Sequence, residues 1–247
     1  MRYEMMFPVQ IRKAIQESWP VVIPVGVLEY HAEHLAVGTD TLVITKAVDL
    51  LEGEMDMVVL PPFYYGAASY AVESPEDRGT VQINSKAIYF FARDLFLSLL
   101  RVGFRNIHVF SFHQSENFTA GMPTDLALKL GAREMIFNFL EKSRGEGWWG
   151  KNSMRNYYTE HHEETDPFNW IRFHPFMDEE TFKKFPADHA GLLETSLMMA
   201  FCPDGVDMKL FSADKWYSES AVNASAEYGN AAKQMILDRM RIILKPK

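Results

Sequence analysis

Val21-Val22-Ile23-Pro24-Val25-Gly26 runs directly into Val27-Leu28-Glu29-Tyr30-His31-Ala32-Glu33-His34, and then into Thr39-Asp40. The opening run is apolar without alternation, short, and stopped by glycine. Such a pattern marks a strand buried on both faces. Strands of that kind belong to parallel sheets covered by helices. The polar residues that follow therefore leave the carboxyl end of a strand, where open α/β sheets bind their ligands.

Working outward, three more runs read as strands. They are Met57-Val58-Val59-Leu60, stopped by Pro61-Pro62; Ile107-His108-Val109-Phe110-Ser111-Phe112; and Ile136-Phe137-Asn138-Phe139-Leu140, which periodicity alone would also allow as a continuation of the preceding helix. Helical spacing fills the gaps. Asp40 is placed to N-cap a helix to about Leu51, with Val43, Ala47, Leu50 and Leu51 on one side. A second helix starts after Asn84 or Ser85 and ends at Gly103. A third covers Pro123 to Leu130 with Gly131 as its stop. A fourth begins near Gly191 and ends before Pro203, and a last runs from about Ala224 to Ile243. Strands alternating with helices predict an α/β domain with a mostly parallel sheet covered on both faces. Residues 1–247 read as one domain. Three loops then share the ligand-binding edge: 26–40, 61–84 and 113–122. The stretch 143–187 is irregular and rich in aromatics, and reads as an insertion or lid.

The 247 residues carry a formal charge of −8, 47% hydrophobic residues and a single cysteine, Cys202. That composition is ordinary for a globular protein and excludes both intrinsic disorder and a disulfide scaffold. A reduced, cytoplasmic setting is expected. A sequence pI near 5.5 and the lack of a Lys/Arg cluster argue against nucleic acid as a partner. No apolar run reaches the ~18–20 residues of a membrane span. The first residues, MRYEMMFPVQIRK, lack the apolar core of a signal peptide.

Three clusters could carry chemistry. In the first, Glu29 and His31 are two residues apart and share a face if the chain is extended. Asp40 can fold back toward them. Carboxylate and imidazole together suit Zn or Mn. The second, Phe112-His113-Gln114-Ser115-Glu116-Asn117, follows the third apolar run. The third is Asp188-His189-Ala190-Gly191-Leu192-Leu193-Glu194-Thr195-Ser196, where a carboxylate beside a histidine forms an acid/base pair. His108, inside its strand, reads as a packing residue. His161-His162 among Glu160, Glu163 and Glu164 reads as a solvated acidic run.

In order and spacing these clusters resemble the creatininase (creatinine amidohydrolase) family. The family pattern is P-V-G, E-x-H-G-x-H, T-D, Y-G, G-T, a histidine after a strand, and H-A-G-x-x-E-T-S. It is matched by Pro24-Val25-Gly26, Glu29-x-His31-Ala32-x-His34, Thr39-Asp40, Tyr65-Gly66, Gly79-Thr80, His113 and His189-Ala190-Gly191-x-x-Glu194-Thr195-Ser196. The resemblance implies a three-layer α/β/α sandwich with two divalent metals, Zn and/or Mn with Fe as a further option, at the carboxyl edge of the sheet. It implies that Glu29 and His113 hold one metal, His31 the other, and that Asp40 bridges them. The remaining carboxylate is Glu116 or Glu194, because Ser115 stands where creatininase has a glutamate. Ala32 and Ser111-Phe112 replace glycine and Asn-Gly of the family, so creatinine is not assigned as substrate.

The expected function is hydrolysis of a C–N bond in a small, possibly cyclic, amide by a water that the two cations activate. Asp188 and His189, with Glu116 as an alternative, are the candidates for passing a proton to the leaving nitrogen. His34, Tyr65, Trp148 and Trp149 are the candidates for contacting substrate. The family resemblance also implies a homo-oligomer, typically a hexamer. The rival expectation is a metal-stabilised binding or scaffold protein that has lost hydrolysis, and a lyase or isomerase ranks below it.

Overall fold

The structure is a computed structural model and describes residues 1–158 and 166–245. The acidic run around His161-His162 lies outside the described residues. The elements are α1 (Pro8–Gln16), β1 (Val21–Val25), α2 (Thr39–Glu52), β2 (Val58–Val59), α3 (Ser85–Val102), β3 (Ile107–Ser111), α4 (Pro123–Arg144), β4 (Ile171–Pro175), α5 (Glu179–Lys184), α6 (Leu192–Phe201) and α7 (Ala226–Leu244). Four strands form one parallel sheet in the order β2-β1-β3-β4. β1 and β3 run side by side in register from Val21↔Ile107 to Val25↔Ser111.

Alternate side chains feed two cores, as the pleat requires. Val22 and Phe110 face a core shared with α2, α6 and α7. Val21, Ile23, Val25, Ile107 and Val109 face a core shared with α1, α3 and α4. The result is the expected three-layer α/β/α arrangement. Pro24 is tolerated inside β1 because β2 has already ended at Val59. The Pro24 carbonyl accepts from Phe63 N–H at 2.9 Å, so its missing donor faces a strand that has diverged. The chain order doubles back between β1 and β3, which makes their carboxyl ends the switch point of the sheet. Among the described residues no helix is long and apolar enough to cross a membrane.

The structure corrects several expectations. Residues 136–140 are not a strand; they continue α4, which runs to Arg144 and stops at Gly145 with φ +82°. Gly131 is not a stop. A Cβ there would lie 2.8 Å from Ala92 Cβ and 3.1 Å from the Tyr89 carbonyl, so this glycine is where α4 presses on α3. The fourth strand is β4, drawn from within the stretch read as an insertion or lid. Asp40 is the second residue of α2 and not its cap, which is Gly38. Leu50 is exposed, whereas Val43, Ala47 and Leu51 are buried. Helix α1 carried no reading in the sequence. His108 is a packing residue, as expected: it is buried and bonded to Asn106 and His174.

Candidate metal centre

The site begins with Gly26. A Cβ there would lie 2.4 Å from Thr41 Oγ1 and 2.6 Å from the Thr41 nitrogen. Only glycine lets the start of α2 sit this close to the end of β1. That approach brings Asp40 to the residues after β1 and β3. The following loop holds Ala32 at φ +57°, a left-handed conformation that favours glycine. There the chain turns back after His31, and ligand atoms of Glu29 and His31 lie within 4.8 Å of one another and of His189.

Asp40 lies at the middle of the arrangement and is almost fully buried. Its Oδ2 is 3.3 Å from His113 Nδ1, which is also 3.3 Å from Glu29 Oε2. Its Oδ1 is 3.5 Å from His31 Nε2, which is also 3.5 Å from Glu194 Oε2. Two triads thus share one carboxylate: Glu29–Asp40–His113 and His31–Asp40–Glu194. His31 Nδ1 donates to the Glu29 carbonyl at 2.9 Å, which leaves Nε2 as the nitrogen aimed at the carboxylates. A histidine fixed in this way by its other nitrogen is prepared as a metal ligand.

These residues fit divalent metal ions. His31 Nε2 and Asp40 Oδ2 are buried without a hydrogen-bond partner, a costly state that a cation would relieve. The separations of 3.3–3.5 Å are long for charged hydrogen bonds. They are what two ligand atoms about 2.0–2.2 Å from one tetrahedral cation would show. The charges agree. Burial disfavours the charged form of His31, but Asp40 and Glu194 outweigh it and push its pKa up to about 10. His113 is likewise held at about 10: burial opposes its charge, and bonds to Asp40 and Glu29 overcome it. Asp40 is driven far below the usual carboxylate range by the two imidazoles, against its burial. Burial lifts Glu194 to about 8, with His31 pulling it down and Asp40 and Asp188 adding to the rise. Cations here would take the place of protons.

The third cluster is built around the start of α6. Asp188 accepts from Leu193 N–H at 2.6 Å and from Glu194 N–H at 3.1 Å, so its carboxylate caps the helix that carries Glu194. Glu194 Oε2 also accepts from Ala190 N–H at 2.7 Å. Burial raises the Asp188 pKa, against the pull of its backbone donors. His189 lies on His31 with ring centroids 4.4 Å apart. Its Nε2 donates to the Tyr30 carbonyl at 2.9 Å, leaving the Nδ1 lone pair free. Burial and the neighbouring His31 lower its pKa to about 4, so the ring is neutral at pH 7.

A cavity of about 510 Å³ opens over the triads. All three predicted loops line it, through Glu29 and His31, Ser69 and Val72, and His113, Gln114 and Glu116. Asp188, His189 and Glu194 line it too. Glu116 belongs to neither triad. Four residues expected at the substrate lie elsewhere. His34 is buried with Nε2 2.9 Å from Thr195 Oγ1. Tyr65 is exposed outside the cavity. Trp148 is buried in the core under α4, beneath Arg144, and Trp149 packs edge-on against Tyr157 and Tyr158. The aromatic residues that do line the cavity are Phe112, Trp216 and Tyr217. Trp216 and Tyr217 lie on an irregular segment with no periodicity to announce them.

Comparison with known proteins agrees with this construction. The creatinine amidohydrolase of Pseudomonas putida is 25% identical over 190 residues, covering 76% of this chain and 66% of that protein. The 3-dehydro-scyllo-inosose hydrolase of Thermotoga maritima is 25% identical over 115 residues, covering 46% of this chain and 36% of that protein. Among solved structures, a manganese creatininase superimposes with a TM-score of 0.73 at 17% identity, covering 99% of each chain; at that identity it speaks to the fold. The family model described as creatinine amidohydrolase matches residues 4–237, nearly the whole chain, and the chain therefore belongs to the creatininase family.

Proposed function

We propose that the protein is a dinuclear metal-dependent hydrolase that cleaves a C–N bond of a small amide. The observation that carries this reading is Asp40, whose two carboxylate oxygens belong to two different buried triads. Glu29, Asp40 and His113 would hold one divalent ion, and His31, Asp40 and Glu194 the other. Mixed carboxylate and imidazole donors suit Zn or Mn, with Fe also compatible. Bound there, such ions lower the pKa of water and polarise a carbonyl oxygen.

The chain's own residues supply the rest. Asp188 fixes the start of α6 and with it the position of Glu194. His189 is neutral, oriented by the Tyr30 carbonyl, and open at Nδ1, so it can accept a proton from the attacking water and return it to the leaving nitrogen. Glu116 lines the same cavity and is the alternative proton carrier. Phe112, Val72 and Met122 limit water around the reacting carbonyl. The expected assembly is a homo-oligomer, a hexamer by family resemblance. Exposed Phe90 and Phe91 on α3 and Leu126 and Leu130 on α4 are apolar side chains open to such contacts.

The test is metal content after purification without chelator, followed by assay of formamide, small lactams and creatinine. Two metals per chain and turnover of at least one amide are expected. Less than one metal per chain, with no gain on adding Zn or Mn, overturns the reading. Two metals with no amide turned over would support a binding protein instead.

A further inference from the structure

We propose that Trp216 and Tyr217 form a recognition subsite for a planar, uncharged ring carried by the substrate beyond its scissile amide, the ring stacking on the Trp216 indole and accepting a hydrogen bond from the Tyr217 hydroxyl. This rests on the amidohydrolase reading and names the substrate class it implies.

The cavity's size is the first support. At about 510 Å³ it falls in the ~300–1,000 Å³ range that encloses a drug-sized ligand, far more than one amide unit requires. The second is Trp216. It lines this cavity yet is 83% exposed, an unusual state for the largest apolar side chain. Its backbone is well held. Ser218 N–H donates to the Lys215 carbonyl at 3.0 Å, and Lys215 pairs with Glu73. Tyr217, next in the chain, packs edge-on against His189 with centroids 5.3 Å apart. A fixed aromatic surface beside the proton carrier can hold a flat group at little entropic cost.

The third support is the Tyr217 hydroxyl, which is buried and has no hydrogen-bond partner. Burial raises its pKa, so it remains a donor at neutral pH. The charges that face it are already neutralised in pairs: Arg78 with Glu33 at 3.1 Å, and Lys215 with Glu73. Glu33 also accepts from Tyr30 Oη at 2.8 Å. Among the described residues, the charges that face the hydroxyl leave no unpaired cation for a carboxylate or phosphate. The unsatisfied group is a neutral donor, and its complement is a neutral acceptor such as a ring nitrogen or carbonyl.

Three probes separate the contributions: formamide, formanilide and N-(pyridin-3-yl)formamide. They are used with the metal-loaded full-length protein. Trp216→Leu is expected to lower the formanilide-to-formamide ratio of kcat/KM about 10-fold, the size of one ring stacked on an aromatic. Tyr217→Phe should lower the pyridyl-to-phenyl ratio about 5-fold or more. Both ring probes should quench tryptophan fluorescence in the wild-type protein and fail to do so in Trp216→Leu. Unchanged ratios, or quenching that persists without Trp216, overturn the subsite. Quenching by the ring probes without hydrolysis of any amide overturns the amidohydrolase reading and leaves the subsite standing. No quenching by either ring probe overturns the subsite whatever the hydrolysis.

Discussion

Glu194 and Glu116 both face the cavity, but they differ in what they touch. Glu194 Oε2 lies 3.5 Å from His31 Nε2 and is steered by the Ala190 N–H and by a helix whose first N–H groups donate to Asp188. Glu116 has no such partners in either triad. Glu194→Gln is therefore expected to weaken metal binding at least 10–100-fold, the loss usual even for residues that only orient a ligand. Glu116→Gln should retain the wild-type metal content. Elemental analysis after equilibration at a fixed free Zn concentration reads both, and a Glu194→Gln protein with full metal would discard the assignment. The family resemblance left both acids open. The choice required knowing which acid the fold carries to His31, which no local pattern fixes.

At the scale of elements, α3 and α4 show why glycine misleads. In sequence Gly131 breaks a helical pattern, and Ile136-Phe137-Asn138-Phe139-Leu140 then looks like a strand. In the fold the missing side chain lets two helices meet, and residues 136–140 form two faces of a helix with Ile136 and Leu140 buried. Replacing glycine by alanine inside a helix normally stabilises it by about 1 kcal/mol. Here the new methyl group meets Ala92 and the α3 backbone. Gly131→Ala should instead destabilise by about 1–3 kcal/mol, read as a lower urea midpoint with an unchanged m-value. A higher midpoint would mean that α3 and α4 do not meet at Gly131.

The molecule as a whole should be sensitive to acid for a reason outside the metal centre. His174 on β4 stacks on His108, with Nε2 3.1 Å from His108 Nδ1, packs tilted against Phe110, and feels the charges of Arg239 and Arg172. Burial, and then the two arginines, lower its pKa from 6.5 to about 3. His108 is lowered as well, by burial first and then by Arg172 and His174. Above pH 6.5 His174 is neutral in both the folded and unfolded chain. Between about 6.5 and 3 only the unfolded chain takes the proton, so stability falls as pH falls. The slope is up to about 1.4 kcal/mol per pH unit for this one group. Melting temperature should therefore drop over that window, and His174→Phe should flatten the drop. An identical pH profile in the variant would show that the imidazole is not the cause.

The sequence by itself determined the strands β1 and β3, the glycine between β1 and the first polar loop, and the order of ligand-type residues along the chain. These are local facts: an apolar run buried on both faces, and residue types whose chemistry suits a divalent ion. The tertiary structure decided what depends on contact between distant segments. It made β4 a strand by pairing it with β3, and it made α4 one continuous helix by packing it on α3. It divided five ligand-type residues into two triads around Asp40, and it brought Trp216 and Tyr217 to the cavity in place of Trp148 and Trp149. Side chains from residues 29 to 217 converge on one cavity because the sheet reverses its order between β1 and β3. Periodicity of a few residues carries no record of that convergence.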